Sequence, residues 1–79
     1  MNYSTPSNQA ARAIRLLLAD KRETIEQLSD QTGIAHSTLK RRLLGVTPFT
    51  IDELHLIAKH FGVRITQVLR SPYETEDAA

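Results

Sequence analysis

Three consecutive cations, Lys40, Arg41 and Arg42, lie inside the leucine-rich segment 39–44. The residue types of this segment favour a helix, on which neighbouring like charges repel one another. The crowding therefore costs free energy unless an anion offsets it. These residue types and their spacing indicate an anion-binding helix.

The composition is that of one small helical domain. The chain has 79 residues, of which 41% are hydrophobic and 5% aromatic, well above the hydrophobic content of disordered chains. It has no cysteine, so disulfides and thiolate metal sites are excluded. We see no apolar run near the ~18 residues that span a bilayer and no signal peptide, and we expect a cytoplasmic, nucleoid-associated protein without membrane contact.

The charges are unevenly distributed along the chain. Residues 1–70 carry all ten Lys and Arg but only six Asp and Glu, a net charge of +4. Residues 71–79 carry three acids and no cation, and we expect this tail to be disordered. A basic body with an acidic tail is compatible with a nucleic-acid partner.

Local signals predict five helices. Helix 1 begins at Pro6, with Thr5 as its cap, and ends between Asp20 and Glu23. Its apolar stripe has helical spacing and consists of Ala10, Ala11, Ile14, Leu17 and Leu18, continued by Lys21.

Helices 2 and 3 are short and close together. Thr24 and Gln27 form a capping-box pattern at the start of helix 2, in which Leu28 faces inward, and helix 2 ends at Gly33. Helix 3 runs from about His36 to Leu44 and stops at Gly45.

Helix 4 has the strongest start signal. Thr50 is its N-cap, Glu53 completes a second capping box, and Phe49 can pack on Leu54. Its buried stripe ends before Gly62, which closes the helix. A short fifth helix is predicted from about Ile65 to Leu69.

From helix 2 onward, the order and spacing of several residues resemble the pattern of a known family. The matching positions are Thr24, Leu28, Gly33, Ile34, Ser37, Thr38, Leu39, Arg41 and Gly45, followed by "ELHLIAKHFGVRITQVL". Over residues 24–69 the chain resembles the DNA-binding domain of the Cro and lambda-repressor class. The resemblance implies an all-α, five-helix domain over residues 1–70, with a helix-turn-helix at helices 2 and 3 and helix 3 in the DNA major groove.

Four positions depart from the family pattern. Ala35 replaces the usual hydroxyl cap of helix 3 and caps poorly. Leu18 and Leu43 occupy positions at which the family often has an Arg–Glu ion pair, and we predict that these leucines touch, because an apolar pair avoids the desolvation cost of charges. Arg42 replaces an apolar residue, which we expect to leave it free for solvent or phosphate.

The resemblance and the helical periodicity together suggest which residues read bases. With Leu39 and Leu43 inward, Arg41 lies outward, where it can make a bidentate contact with guanine O6 and N7. The candidate base-reading residues are His36, Ser37, Thr38, Lys40 and Arg41. The family supports His36, Ser37 and Arg41 best, while Lys40 could also meet the backbone.

Phosphate contacts are expected around this helix. The free amides at the start of helix 2 form an anion site to which a side chain can add a donor. The candidate phosphate-binding residues are Thr24, Gln27, Arg42, Lys21, Arg22 and Thr47. A solvated loop is the alternative for Lys21 and Arg22, and we expect Arg12 and Arg15 to be plain surface.

The residues favour DNA reading over catalysis and over protein interaction alone. No catalytic motif is present, and the spacing of His55 and His60 is poor for two metal ligands, so we expect no enzyme, metal or cofactor. The rival function is that of a protein-interaction module, such as an antitoxin or an assembly adaptor. The Lys-Arg-Arg run favours DNA over an adaptor.

We therefore expect a transcriptional repressor of the phage Cro or immunity type. Its partner would be double-stranded DNA with a palindromic operator, bound by a homodimer that forms in solution or only on DNA, without a small-molecule ligand. The predicted dimer interface comprises Val63, Ile65, Val68 and Leu69, with Tyr73 beside them.

Overall fold

A computed structural model describes residues 6–69, which are all-α. The five helices are α1 (Pro6–Lys21), α2 (Ile25–Thr32), α3 (His36–Leu43), α4 (Ile51–Phe61) and α5 (Ile65–Leu69). The all-helical prediction is confirmed, and α3 ends at Leu43 with Leu44 as its C-cap. The predicted cap Thr5, the acidic tail and Tyr73 lie outside the described residues.

Both predicted capping boxes are present. The Thr24 hydroxyl accepts a hydrogen bond from the Gln27 amide at 3.1 Å, and the Gln27 side chain accepts one from the Thr24 amide at 2.8 Å. Thr50 and Glu53 make the same reciprocal pair at 3.0 and 2.9 Å. Each box satisfies amide groups that a helix start leaves without partners.

One apolar core joins the five helices. Helix α1 contacts α3 and α5, while α2 packs on both α3 and α4. The largest fully buried side chains in the core are Ile14, Leu28, Leu39, Ile57 and Val68. Phe49 and Leu54 are both buried beside the start of α4, in accord with the expected packing there.

The predicted Leu18–Leu43 pair lies at the junction of α1 and α3. Leu18 is 8% exposed and Leu43 is 4% exposed, and both line the same cleft between these two helices. The junction of α1 and α3 therefore has two buried leucines at the positions where the family often has two charges.

One residue of the predicted dimer interface belongs to the core instead. Val68 is 1% exposed, so the prediction that it lies at a dimer interface is wrong. The side chain faces inward because α5 packs against both α1 and α4. Val63, Ile65 and Leu69 are partly buried at the core edge.

We expect Thr50→Ala to lower the free energy of unfolding by about 1 kcal/mol, because the Glu53 amide loses its acceptor at the helix start. Thr50→Ser, which keeps the hydroxyl, should lose much less. Urea denaturation followed by circular dichroism measures both. Equal losses in the two variants would show that the methyl group, rather than the cap, is what stabilises α4.

Candidate nucleic-acid interface

The turn between α2 and α3 is fixed by hydrogen bonds from the end of α2 and within the turn. Gly33 has a φ of 80°, a left-handed conformation that glycine adopts without a Cβ clash, and its amide donates to the Ser29 carbonyl at 2.8 Å. The Ser29 hydroxyl donates to the Ile34 carbonyl at 2.6 Å, and the Thr32 hydroxyl donates to the Leu28 carbonyl at 2.7 Å. These bonds set the direction in which α3 leaves the turn.

The buried face of α3 consists of two leucines. Leu39 is fully buried and Leu43 is 4% exposed, as predicted. Their spacing of four residues turns the opposite side of the helix outward. The exposed residues on α3 and its C-cap are His36, Ser37, Lys40, Arg41 and Leu44. Thr38 is half-buried at the edge of this surface.

The two outward cations of α3 have no intramolecular partner within the described part of the chain. The side chains of Lys40 and Arg41 make neither a hydrogen bond nor an ion pair there. Both side chains are exposed, and no acidic partner within residues 6–69 neutralises either of them. This is the electrostatic arrangement that an anionic partner would relieve.

The two ends of α3 are held differently. Ala35 makes no side-chain cap at the N-terminus, as expected. At the C-terminus, Arg15 Nη1 of α1 donates to the Leu43 carbonyl at 2.6 Å. Arg15 is therefore more than the plain surface residue that the sequence suggested, since it tethers α1 to the last turn of α3.

Arg42 has two partners inside the chain. Its Nε and Nη2 donate to the Glu53 carboxylate at 2.8 and 3.0 Å, and its Nη1 donates to the Thr47 hydroxyl at 2.7 Å. The expectation that Arg42 is free for solvent or phosphate is therefore wrong. The reason is tertiary, because the first turn of α4 places Glu53, eleven residues away, beside this face of α3.

The pair perturbs both ionisation equilibria. Burial raises the pKa of Glu53, but the hydrogen bond from Arg42, the Thr50 amide and the Arg42 charge outweigh it, and the net pKa lies below the ordinary value. The hydrogen bond to Glu53 raises the pKa of Arg42. Both groups are thus held in their charged forms.

Three predicted phosphate-binding residues share one polar groove. Lys21, Arg22 and Gln27 line a groove of about 330 Å³ between the end of α1 and the start of α2. The Oε1 of Gln27 accepts a hydrogen bond from the Thr24 amide, so the side-chain NH₂ group of Gln27 is left as a donor. Glu23 Oε2 lies 2.7 Å from His60 Nε2, which ties this loop to α4.

Arg22 adopts an unusual backbone conformation in that loop. Its φ is 54°, the only positive φ at a non-glycine residue among those described. The Glu23 amide donates to the Leu18 carbonyl at 2.9 Å and the Arg22 amide to the Ala19 carbonyl at 3.2 Å, the Schellman pattern that normally has glycine at this position. An arginine held there costs about 1 kcal/mol, and such strain is typical of functional positions.

The first turn of α2 lies next to α3. Ile25, which follows Thr24, lines the same cleft as Lys40 and Leu44. The free amides at the start of α2 and the exposed face of α3 therefore lie on adjoining surfaces. Thr47 is half-buried in the loop after α3, where its hydroxyl already accepts the Arg42 bond.

The family assignment follows from comparison with known domains. A family model described as the Cro/C1-type HTH DNA-binding domain matches residues 13–72. The chain belongs to this family. No curated protein and no solved structure matches it significantly. The Cro/C1-type assignment makes the chain a DNA-binding regulator, and its helix-turn-helix comprises α2 and α3.

Two further features, a metal-binding cluster and a membrane-spanning helix, are absent from the described residues. No group of three or more His, Cys, Asp or Glu in residues 6–69 could hold a metal ion. None of the described helices is long and apolar enough to cross a membrane.

The low pKa of Glu53 predicts a pH dependence of stability. Because the folded-state pKa is below the unfolded one, the stabilisation is fully present above the unfolded value, near 4.5, and is lost as pH falls through the folded value. Glu53→Gln should therefore make the free energy of unfolding fall less steeply as pH decreases below 4.5. Urea midpoints at a series of pH values measure this. The exposed acid Asp52 supplies a matched control, Asp52→Asn, and equal slopes for the two variants would contradict the prediction.

Proposed function

We propose that this chain is a transcriptional repressor of the phage Cro or immunity type that reads operator DNA in the major groove with α3. One observation carries the proposal: Lys40 and Arg41 are exposed on α3 and have no hydrogen-bond or ion-pair partner in residues 6–69, while Leu39 and Leu43 of the same helix are buried. A domain of the Cro/C1 type supplies the DNA-binding context.

The exposed side of α3 would make the base contacts. Arg41 offers two parallel N–H donors, which match O6 and N7 of guanine. Ser37, one turn earlier, can donate to or accept from several bases, and His36 lies at the N-terminal end that meets base edges in this class. Lys40 and the half-buried Thr38 lie at the edges of this surface.

Phosphate contacts would come from the α1–α2 loop and the first turn of α2. Lys21 and Arg22 supply charge, Thr24 lies at the helix start and the NH₂ group of Gln27 is a donor. Thr47 can still donate its hydroxyl proton. Arg42 has no part in this set, because Glu53 and Thr47 hold its guanidinium.

A twofold dimer on a palindromic site would double the contact surface. Val63, Ile65 and Leu69 are partly buried residues at the core edge around α5, where a second copy could cover them. A repressor of this kind would act in the cytoplasm, on the nucleoid. The half-site spacing of the selected DNA measures the dimer geometry directly.

The first experiment is selection from randomised duplex DNA with wild-type protein and Arg41→Ala. We expect the wild type to select a palindromic motif that contains guanine. In Arg41→Ala, the preference for guanine at the contacted position should weaken by about 1–3 kcal/mol. Arg12→Ala, which removes an exposed cation from α1, should select the wild-type motif.

Weak binding without sequence preference, unchanged in Arg41→Ala, would overturn the repressor proposal. That result would favour a protein-interaction module, and the exposed Leu44, Val46 and Ile51 would then be its candidate contact residues.

Arg22→Gly tests whether the strained arginine serves DNA binding. We expect the free energy of unfolding of this variant to be about 1 kcal/mol higher than that of the wild type, because glycine tolerates the left-handed conformation. Its DNA affinity should fall uniformly across sequences, with the salt slope reduced by about one.

The matched control is Arg22→Ala. It loses the same side chain but keeps a Cβ, so its DNA binding should weaken as in Arg22→Gly without the gain in stability. Unchanged salt slopes in both variants would show that Arg22 does not meet phosphate.

A further inference from the structure

An apolar cleft of about 530 Å³ opens between α1, the first turn of α2 and the end of α3. Its volume is within the range of small-molecule sites. The hydrophobic lining residues are Ala11, Leu18, Ile25, Leu43 and Leu44. Leu44 is 76% exposed, so a large apolar side chain at the cleft is left without a cover in the described chain.

Two cations border this cleft, and none of the residues from 6–69 that line it is acidic. Lys40 has no hydrogen-bond or ion-pair partner among the described residues. Arg15 uses one Nη1 donor on the Leu43 carbonyl, which leaves further N–H donors of its guanidinium. The described walls of the cleft therefore carry a positive charge that no acidic residue among them compensates.

We propose that this cleft binds an amphipathic carboxylate, such as a medium-chain fatty acid. The alkyl chain would lie against the leucine walls, and the carboxylate would lie between Arg15 and Lys40. Removal of apolar surface from water supplies the main stabilisation, and charge-assisted hydrogen bonds select the anionic head group. A fully polar anion would leave the apolar walls wet, and an apolar cation would meet two like charges.

The position of the cleft gives this ligand a regulatory effect, a step that rests on the proposed function. Lys40 lies both on the cleft and on the surface proposed to read bases, and Ile25 belongs to the first turn of α2. A carboxylate on Lys40 would withdraw that cation from DNA. Fatty acid and operator would then weaken each other's binding by the same factor, as linkage requires.

Titration of the DNA-free chain with decanoate, below its micellar concentration, tests the site itself. We expect amide NMR shifts in the residues that line the cleft, and binding that decyltrimethylammonium does not reproduce. Lys40→Gln should weaken decanoate about fivefold and leave the affinity for decanol unchanged.

Two leucine variants test the apolar walls. Leu44→Gln should weaken both decanoate and decanol, whereas Leu16→Gln should weaken neither, because Leu16 is 60% exposed on α1 but does not line the cleft. Both leucines are exposed, so neither variant removes a core side chain.

Three results would overturn the ligand site. Shifts scattered over the whole surface would indicate non-specific binding, and equal affinity for the cationic amphiphile would remove the role of Arg15 and Lys40. A wild-type dimer that Leu44→Gln converts to a monomer, with no decanoate binding in either, would show that a second copy covers the cleft.

Fluorescence anisotropy with selected operator DNA tests the coupling. Decanoate should release DNA from the wild-type chain and have a weaker effect on Leu44→Gln. If decanoate binds the cleft but leaves operator affinity unchanged, the regulatory step is wrong while the site stands. If no operator can be selected, the proposed function fails, and the NMR titration still decides the ligand site.

Discussion

The burial of two leucines fixes the orientation of α3. The helix has eight residues, and Leu39 and Leu43 are the ones that the core encloses. Rotation of such a short helix about its axis would expose one of these leucines to water, and each leucine exposed would cost about 1.5–3 kcal/mol of folding free energy. Their burial thus decides which side chains turn outward. Lys40 and Arg41 are exposed because the two leucines occupy the buried side of the helix.

The far end of α3 is held by groups from two other helices. Arg15 of α1 donates a hydrogen bond to the Leu43 carbonyl in the last turn of α3. The Glu53 carboxylate at the start of α4 accepts two hydrogen bonds from Arg42. Glu53 also completes the cap of its own helix. One carboxylate thus joins the start of α4 to the side of α3, so the loop between these helices is fixed by polar contacts at both ends.

The sequence was informative where the signal is local and incomplete where it is tertiary. The capping boxes of Thr24 and Thr50 depend on residues three positions apart, and both were predicted correctly. The Arg42–Glu53 pair and the Arg15 tether join separate helices, so no spacing rule could find them. A valine at position 68 is equally compatible with a dimer interface and with the domain core, and only the packing of α5 decides between these two positions. The strain at Arg22 has no signal in its residue type.

The apolar junction of Leu18 and Leu43 has a practical consequence for handling the protein. An ion pair at that place would be screened as ionic strength rises, but the burial of two leucines is not. Salt should therefore strip nucleic acid from the chain while leaving the joint between α1 and α3 intact. A high-salt wash during purification can free the folded protein of bound polynucleotide without a denaturation and refolding cycle.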